Sequence, residues 1–125
     1  MAKHNEIGKI GEDLVTKFLG NKGFNVFTRN FRAPYGEIDI VALKSGITHF
    51  VEVKTVSCEN EVGFLENRAE ENVTREKLQK LSRVIQVYIN KEKVDKWQFD
   101  VCAVYLSLEN NKAHIRFLEN QLLPE

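Results

Sequence analysis

Apolar residues at Ile7, Ile10, Leu14 and Phe18 recur at steps of three and four. That spacing lines one face of a helix and predicts an amphipathic helix from Asn5 to about Asn21, ended by Gly20 to Gly23. Phe24 to Arg29 reads as a short strand, and Ala33-Pro34-Tyr35-Gly36 separates it from the next one. Two strand-like runs, Glu37 to Leu43 and Ile47 to Thr55, then flank Ser45-Gly46, a tight-turn pair that predicts a hairpin. Residues 56–72 are polar, acidic and weakly patterned, and are expected to form a mobile loop, the least ordered part of the chain. Thr74 suits the cap of a second helix running to about Asn90. Its Leu78, Leu81, Ile85 and Tyr88 share one face, while Lys77, Lys80 and Arg83 lie toward the other. Trp97 to Leu106 is rich in β-formers, Asn110-Asn111 turns the chain, and Ala113 to Leu118 returns as an edge strand. The order α-β-β-β-α-β with a short β tail predicts an α/β fold, and 125 residues suffice for one domain with one real core.

Composition narrows the class without naming a function. Hydrophobic residues at 42% and charged residues at 29% fit a globular protein and exclude disordered and fibrous classes. No apolar run approaches the roughly 20 residues of a membrane-spanning helix. The MAKHNEIGK start lacks the apolar stretch of a signal peptide, so the expected location is cytoplasmic, with no membrane partner. Cys58 and Cys102 have neither the number nor the spacing of a disulfide framework or zinc site, and read as free thiols.

A net charge of zero argues against nucleic-acid binding through bulk electrostatics. The distribution of charge softens that conclusion. Residues 1–54 carry eight Lys/Arg against six Asp/Glu and residues 73–97 carry seven against three, whereas residues 55–72 carry one against five. Two basic segments on either side of an acidic one leave room for a local basic face. Arg29, Arg32, Lys77 and Lys80 are the candidates for phosphate contact. Trp97, Phe99 and Tyr105 have strand spacing and read as core. His4, His49 and His114 lack metal-ligand spacing to one another, and Asp100 reads as structural.

The hairpin carries the chemistry. Glu52 and Lys54 alternate onto one strand face. A two-residue turn at Ser45-Gly46 pairs Lys44 with Ile47, and counting back sets Asp39 directly opposite Glu52. Two carboxylates that close repel each other unless something positive lies between them, and a divalent cation such as Mg²⁺ or Mn²⁺ answers that need with oxygen ligands. Asp39, Glu52 and the backbone carbonyl of Val53 would supply ligands, leaving positions for water and a phosphodiester oxygen. Lys54 would orient the water or neutralise charge developing on the phosphate. Glu12, at the border of the buried stripe of the first helix, would complete the set. Gly8 and Gly11 each cost that helix roughly 1 kcal/mol relative to Ala, which suggests close passage of its backbone past the sheet or a substrate. Glu37 is expected to pair with a nearby Arg or Lys.

Gly36-Glu37-Ile38-Asp39 followed by Phe50-Val51-Glu52-Val53-Lys54 resembles the signature of the YraN-like family of predicted bacterial endonucleases. The similarity extends to Gly8, Gly11, Glu12, Arg29 to Arg32, Lys77 to Leu81 and Phe99 to Val101. That family is assigned to the PD-(D/E)XK nuclease superfamily and is similar to archaeal Holliday-junction resolvases. The resemblance implies a restriction-endonuclease-like αβββαβ core with a central mixed sheet flanked by helices. It also implies a catalytic triad of Asp39, Glu52 and Lys54 with Glu12 as the helical acid. Where the superfamily has Pro before the first acid, this chain has Ile38. The expected activity is metal-dependent hydrolysis of DNA phosphodiester bonds, on branched or distorted DNA. The alternatives are a nucleic-acid-binding module that keeps the fold without efficient catalysis, and a protein-protein adaptor. The closing strand at 113–118 offers an edge for a homodimer.

Overall fold

The computed structural model describes residues 4–59, 63–64 and 73–124. Helix α1 spans His4–Asn21. Three strands come next: β1 at Asn25–Ala33, β2 at Gly36–Lys44 and β3 at Ile47–Ser57. Helix α2 spans Arg75–Glu92, and β4 at Trp97–Ser107 and β5 at Lys112–Leu118 close the chain. The strands form one five-stranded sheet in the order β1-β2-β3-β4-β5. Among the described residues only the β3–β4 pair is parallel, and its connection runs through α2. The fold is therefore α/β, as the pattern of the chain predicts, with the mixed sheet that the family resemblance implies.

Each helix covers one face of the sheet. On the α1 side, Val15 and Leu19 pack on Ile40, Ala42, Val51, Cys102 and Val104, with Phe24 closing the end. On the other side, Leu81, Val84, Ile85 and Tyr88 of α2 pack on Val41, Phe50, Phe99 and Val101. Phe50 and Val51 thus serve opposite layers, as strand alternation requires. Thr74 caps α2, its Oγ1 accepting from Lys77 N at 3.2 Å. The left-handed Lys93 ends that helix.

Ser45 and Gly46, with φ of 53° and 77°, make the expected tight turn. The register from Lys44↔Ile47 to Ile40↔Val51 is the one counted from the sequence. Toward the far end of β2 the alternation fails, because Ile38 and Val41 both join the α2-side core. The irregular stretch holds Asp39.

Two elements differ from expectation. Strand β1 runs on to Ala33 rather than stopping near Arg29, pairing with β2 through Arg32↔Glu37 and Ala33↔Gly36. Its polar letters hide this because β1 is an edge strand, alternately half-buried and exposed, with a register shift between Val26 and Thr28 and a left-handed Asn30 at φ 53°. Val56 and Ser57, expected in the loop, continue β3 beside Tyr105 and Leu106. Most of the expected mobile loop lies outside the described residues. Within it, Phe64 is buried against Ala103 and Tyr105. Trp97 is 37% exposed, edge-on to Phe50, so it belongs to the core only in part. β5 is an edge of the sheet, as expected.

Candidate active site

Asp39 lies within β2, one residue beyond the last pair of the β2–β3 ladder, where the hairpin begins to open. Its Oδ2 accepts a hydrogen bond from Val53 N at 2.8 Å. A strand residue presents its N–H and C=O to the same neighbour, so the Val53 carbonyl turns toward Asp39 as well. Glu52 lies beside Asp39, and both are buried, at 5% and 7% exposure. Burial pushes the Asp39 carboxyl up to about 9, with Glu52 adding to the rise as hydrogen-bond partner and like charge. The Val53 N–H and the charge of Lys77 pull the other way. Lys77 reaches in from the first turn of α2, its Nζ 3.9 Å from Glu52 Oε2.

Glu12 approaches from α1. Asn30 Nδ2 donates to its Oε1 at 3.0 Å. Asn30 lies opposite Asp39 between the pairs Arg29↔Ile40 and Phe31↔Ile38, so the left-handed kink of β1 is what carries the amide to Glu12. Burial, then the charge of Asp39, raises the Glu12 carboxyl above its ordinary range, and Asn30 and Arg29 partly offset that. Gly11 makes the approach possible. A Cβ there would sit 1.8 Å from Thr55 Oγ1, so α1 rests directly on β3. Thr55 Oγ1 is buried beneath it without a hydrogen-bond partner among the described residues. At Gly8 a Cβ would meet open space.

Three adjoining depressions surround these groups. One of about 220 Å³ lies between the β1–β2 turn and α2, and includes Tyr35, Asp39, Glu52, Lys77 and Lys80. A second of about 170 Å³ includes Glu12, Asp39, Glu52, Val53, Lys54 and Lys77. The third, about 590 Å³, continues past Glu12 to Arg29, Asn30 and Arg32. Lys54 thus borders the carboxylates, and among the described residues it has no ion-pair partner.

The sequence matches the profile of Uncharacterised protein family UPF0102 over residues 11–104. The chain belongs to this family. It is 34% identical to a UPF0102 protein of Dictyoglomus turgidum over 119 residues, 94% of this chain and 97% of that one. A UPF0102 protein of Dictyoglomus thermophilum is 37% identical over 106 residues, covering 83% and 86% of the two chains. One from Clostridium perfringens is 34% identical over 123 residues, covering 96% and 97%. The segment matched by the UPF0102 profile holds Glu12, Asp39, Glu52, Lys54 and Lys77 together.

The UPF0102 fold draws the sequence-derived residues together unequally. Asp39, Glu52 and the Val53 backbone converge, Lys54 and Lys77 border them, and Glu12 stands on the rim. Arg29 is engaged with Asp13 Oδ1 at 2.8 Å, and lies 3.6 Å from Glu12 Oε1. Arg32 is 82% exposed and pairs with Glu37 at 3.4 Å, the partner expected for that acid. Lys80 Nζ is 3.6 Å from Glu76 Oε1 on the helix surface.

Sequence reading places Lys77 among phosphate contacts and misses its reach to Glu52. The available signal is that Lys77 stands in the first turn of α2, where the helix dipole disfavours a cation. It also misses the pairing of His49 Nδ1 with Asp100 Oδ2 at 2.6 Å, since 51 residues separate the two. Glu119 comes close enough to make a possible ligand group with them. Asp100, fully buried, also accepts from Gln98 Nε2 and Asn120 N, so this carboxylate fastens the segment after β5 to β4. The same charge, after burial, holds the Cys102 thiol up at about 12.

Proposed function

We propose that this chain is a metal-dependent endonuclease with a PD-(D/E)XK-type site, hydrolysing phosphodiester bonds in DNA. The observation that carries the proposal is the meeting of Asp39 and Glu52, two buried carboxylates side by side, the first held above its ordinary range by burial and by the second, with lysines on either side. This donor set suits a hard divalent cation, with Asp39, Glu52 and the Val53 carbonyl as oxygen ligands and Glu12 at the rim. Bound there, Mg²⁺ or Mn²⁺ would polarise the phosphate and lower the pKa of the attacking water. Lys77 draws the phosphate toward the carboxylates, and Lys54 orients the water and offsets charge building on the phosphoryl oxygens. As the water oxygen bonds to phosphorus it gives up a proton to solvent, one P–O ester bond breaks, and the departing oxygen takes up a proton from solvent, so the two transfers cancel. Lys80 and Arg32, both exposed, supply phosphate contacts away from the cut, while Arg29 holds the Glu12 rim in place.

The test is cleavage of linear, nicked and four-way-junction DNA by the purified chain with each metal. Wild-type protein should cut, and Asp39→Asn and Glu52→Gln should each lose at least about a hundredfold, a loss of the size expected for removing a group that stabilises transition-state charge. Cleavage that persists in Asp39→Asn overturns the assignment. A second reading, a nucleic-acid-binding module without efficient catalysis, draws support from the neutral net charge and the engagement of Arg29 by Asp13. Salt-dependent DNA binding without cleavage under any metal would favour it.

A further inference from the structure

Tyr35 has no place in the chemistry above, yet it stands on the wall of the depression that holds Asp39 and Glu52. It lies in the two-residue connection between β1 and β2, and 49% of it is exposed. Phe31 and Phe50, by contrast, each pack edge-on against the buried Tyr88. One side-chain contact and the strand pairing beside it hold the Tyr35 turn in position. The guanidinium of Arg83 on α2 lies 5.5 Å from the centre of the Tyr35 ring. Gly36, at φ +145°, is paired with Ala33 and closes the turn into the β1–β2 ladder. The aromatic face is thus fixed against α2 rather than carried on a free tip, and an arginine on an aromatic face is a favourable pair.

We propose that Tyr35, backed by Arg83, is a stacking platform for an unpaired base beside the phosphate in the carboxylate recess. The site then receives DNA whose bases at that position are unpaired, as in a fork or flap, in preference to an intact duplex. This rests on the nuclease reading only for the identity of that phosphate as the scissile one. Asp39 and Glu52, nearly buried, line the depression of about 220 Å³, so a phosphate entering between the turn and α2 reaches them. Lys77 and Lys80 line that same depression and take the phosphate side of the nucleotide. Tyr35 is left to meet its base. In a duplex each base is covered on both faces by its neighbours, so an aromatic wall gains nothing from it. An unpaired base offers a free face, and stacking on an aromatic ring tolerates any sequence.

The experiment uses the full chain and one DNA sequence in two forms, a fork and a fully paired duplex, each with 2-aminopurine at the same position. Binding is followed by 2-aminopurine fluorescence in EDTA at low salt, and cleavage is followed separately with Mg²⁺ and Mn²⁺. The fork should bind tighter than the duplex and show quenching on binding. Tyr35→Phe should keep both properties. Tyr35→Ala should lose the quench and about tenfold in fork affinity, with less than about twofold change on duplex. An unchanged quench and fork affinity in Tyr35→Ala overturns the platform, as does equal binding of fork and duplex by the wild type, or no fork binding at all. Fork binding that depends on the Tyr35 ring but is never followed by cleavage supports the platform and removes the nuclease reading, so the two fail separately.

Discussion

Asp39 sits between opposing demands. Its backbone donor and Lys77 favour the charged form, but burial and Glu52 favour the neutral one and prevail. The sign of the shift sets the pH dependence of the metal-free protein. The unfolded carboxyl ionises near its ordinary 3.8 and the folded one at about 9, so the native state keeps a proton that the unfolded state has lost. The stabilising contribution is complete below about 4 and disappears as pH rises through 9. Glu12, also raised, acts in the same direction. Thermal melts in EDTA should therefore show a Tm that falls between pH 5 and pH 9. Asp39→Asn should flatten that slope and raise Tm at pH 8, by about 4 °C for each kcal/mol relieved. A cation binding the ionised pair reverses the trend, so added Mn²⁺ should raise the wild-type Tm more at pH 8 than at pH 5, and leave Asp39→Asn unmoved. A Tm independent of pH in EDTA would contradict the dominance of burial at Asp39. The nearness of Asp39 to Glu52 is legible from the letters because a two-residue turn sets the hairpin register by counting, although the ladder itself stops at Ile40↔Val51 and does not include the directly opposed pair. The reach of Lys77 is not, because a lysine on the polar face of a helix looks the same whether it meets water or a carboxylate.

Among the elements, α1 shows how a glycine in a helix can carry position rather than flexibility. Gly8 and Gly11 have the same intrinsic cost in a helix, and only their surroundings separate them. Gly8 faces open space at the edge of the site, so Gly8→Ala should stabilise the fold by up to about 1 kcal/mol. Gly11 lies on Thr55, where a new Cβ would collide with Oγ1 and crowd Cβ and Cγ2 at 2.9 and 3.0 Å. Gly11→Ala should therefore destabilise by about 1–3 kcal/mol despite its better helix propensity. By lifting α1 from β3 it should also displace Glu12 from Asn30. Thr55→Ala in that background should restore part of the loss. Denaturant unfolding of the four proteins decides this, and a Gly11→Ala variant as stable as Gly8→Ala would show that the helix is not seated as described. Element by element, the amphipathic helices, the hairpin and the last two strands are readable because burial imposes a period of 3.6 or 2 on them. The second half of β1 is not. Its Arg-Asn-Phe-Arg run lies on an edge where polar side chains are compatible with a strand, and the left-handed Asn30 breaks the alternation.

For the whole molecule, zero net charge and a phosphate-binding site are compatible only if the binding cations are few and local. The structure limits them further, since Arg29 and Lys9 are both committed to Asp13. Lys54, together with Lys77, Lys80 and Arg32, whose own carboxylate partners lie farther off at 3.4–3.9 Å, is left to neutralise phosphates around the carboxylate recess. Four contacts on duplex DNA give a slope of log K against log salt of about −3.6, and single strands about −2.8. Binding should therefore be weak at physiological ionic strength and less salt-dependent than that of a basic DNA-binding protein. Lys80→Ala should reduce the magnitude of the slope by about one phosphate equivalent without changing metal affinity. Asp39→Asn should act in the opposite sense, weakening metal binding while leaving the slope in EDTA nearly unchanged. Fluorescence anisotropy between 25 and 200 mM salt measures all three slopes. A wild-type slope steeper than about −6 would mean that phosphates are held by a wider surface than the recess, and would place the DNA path elsewhere on the molecule.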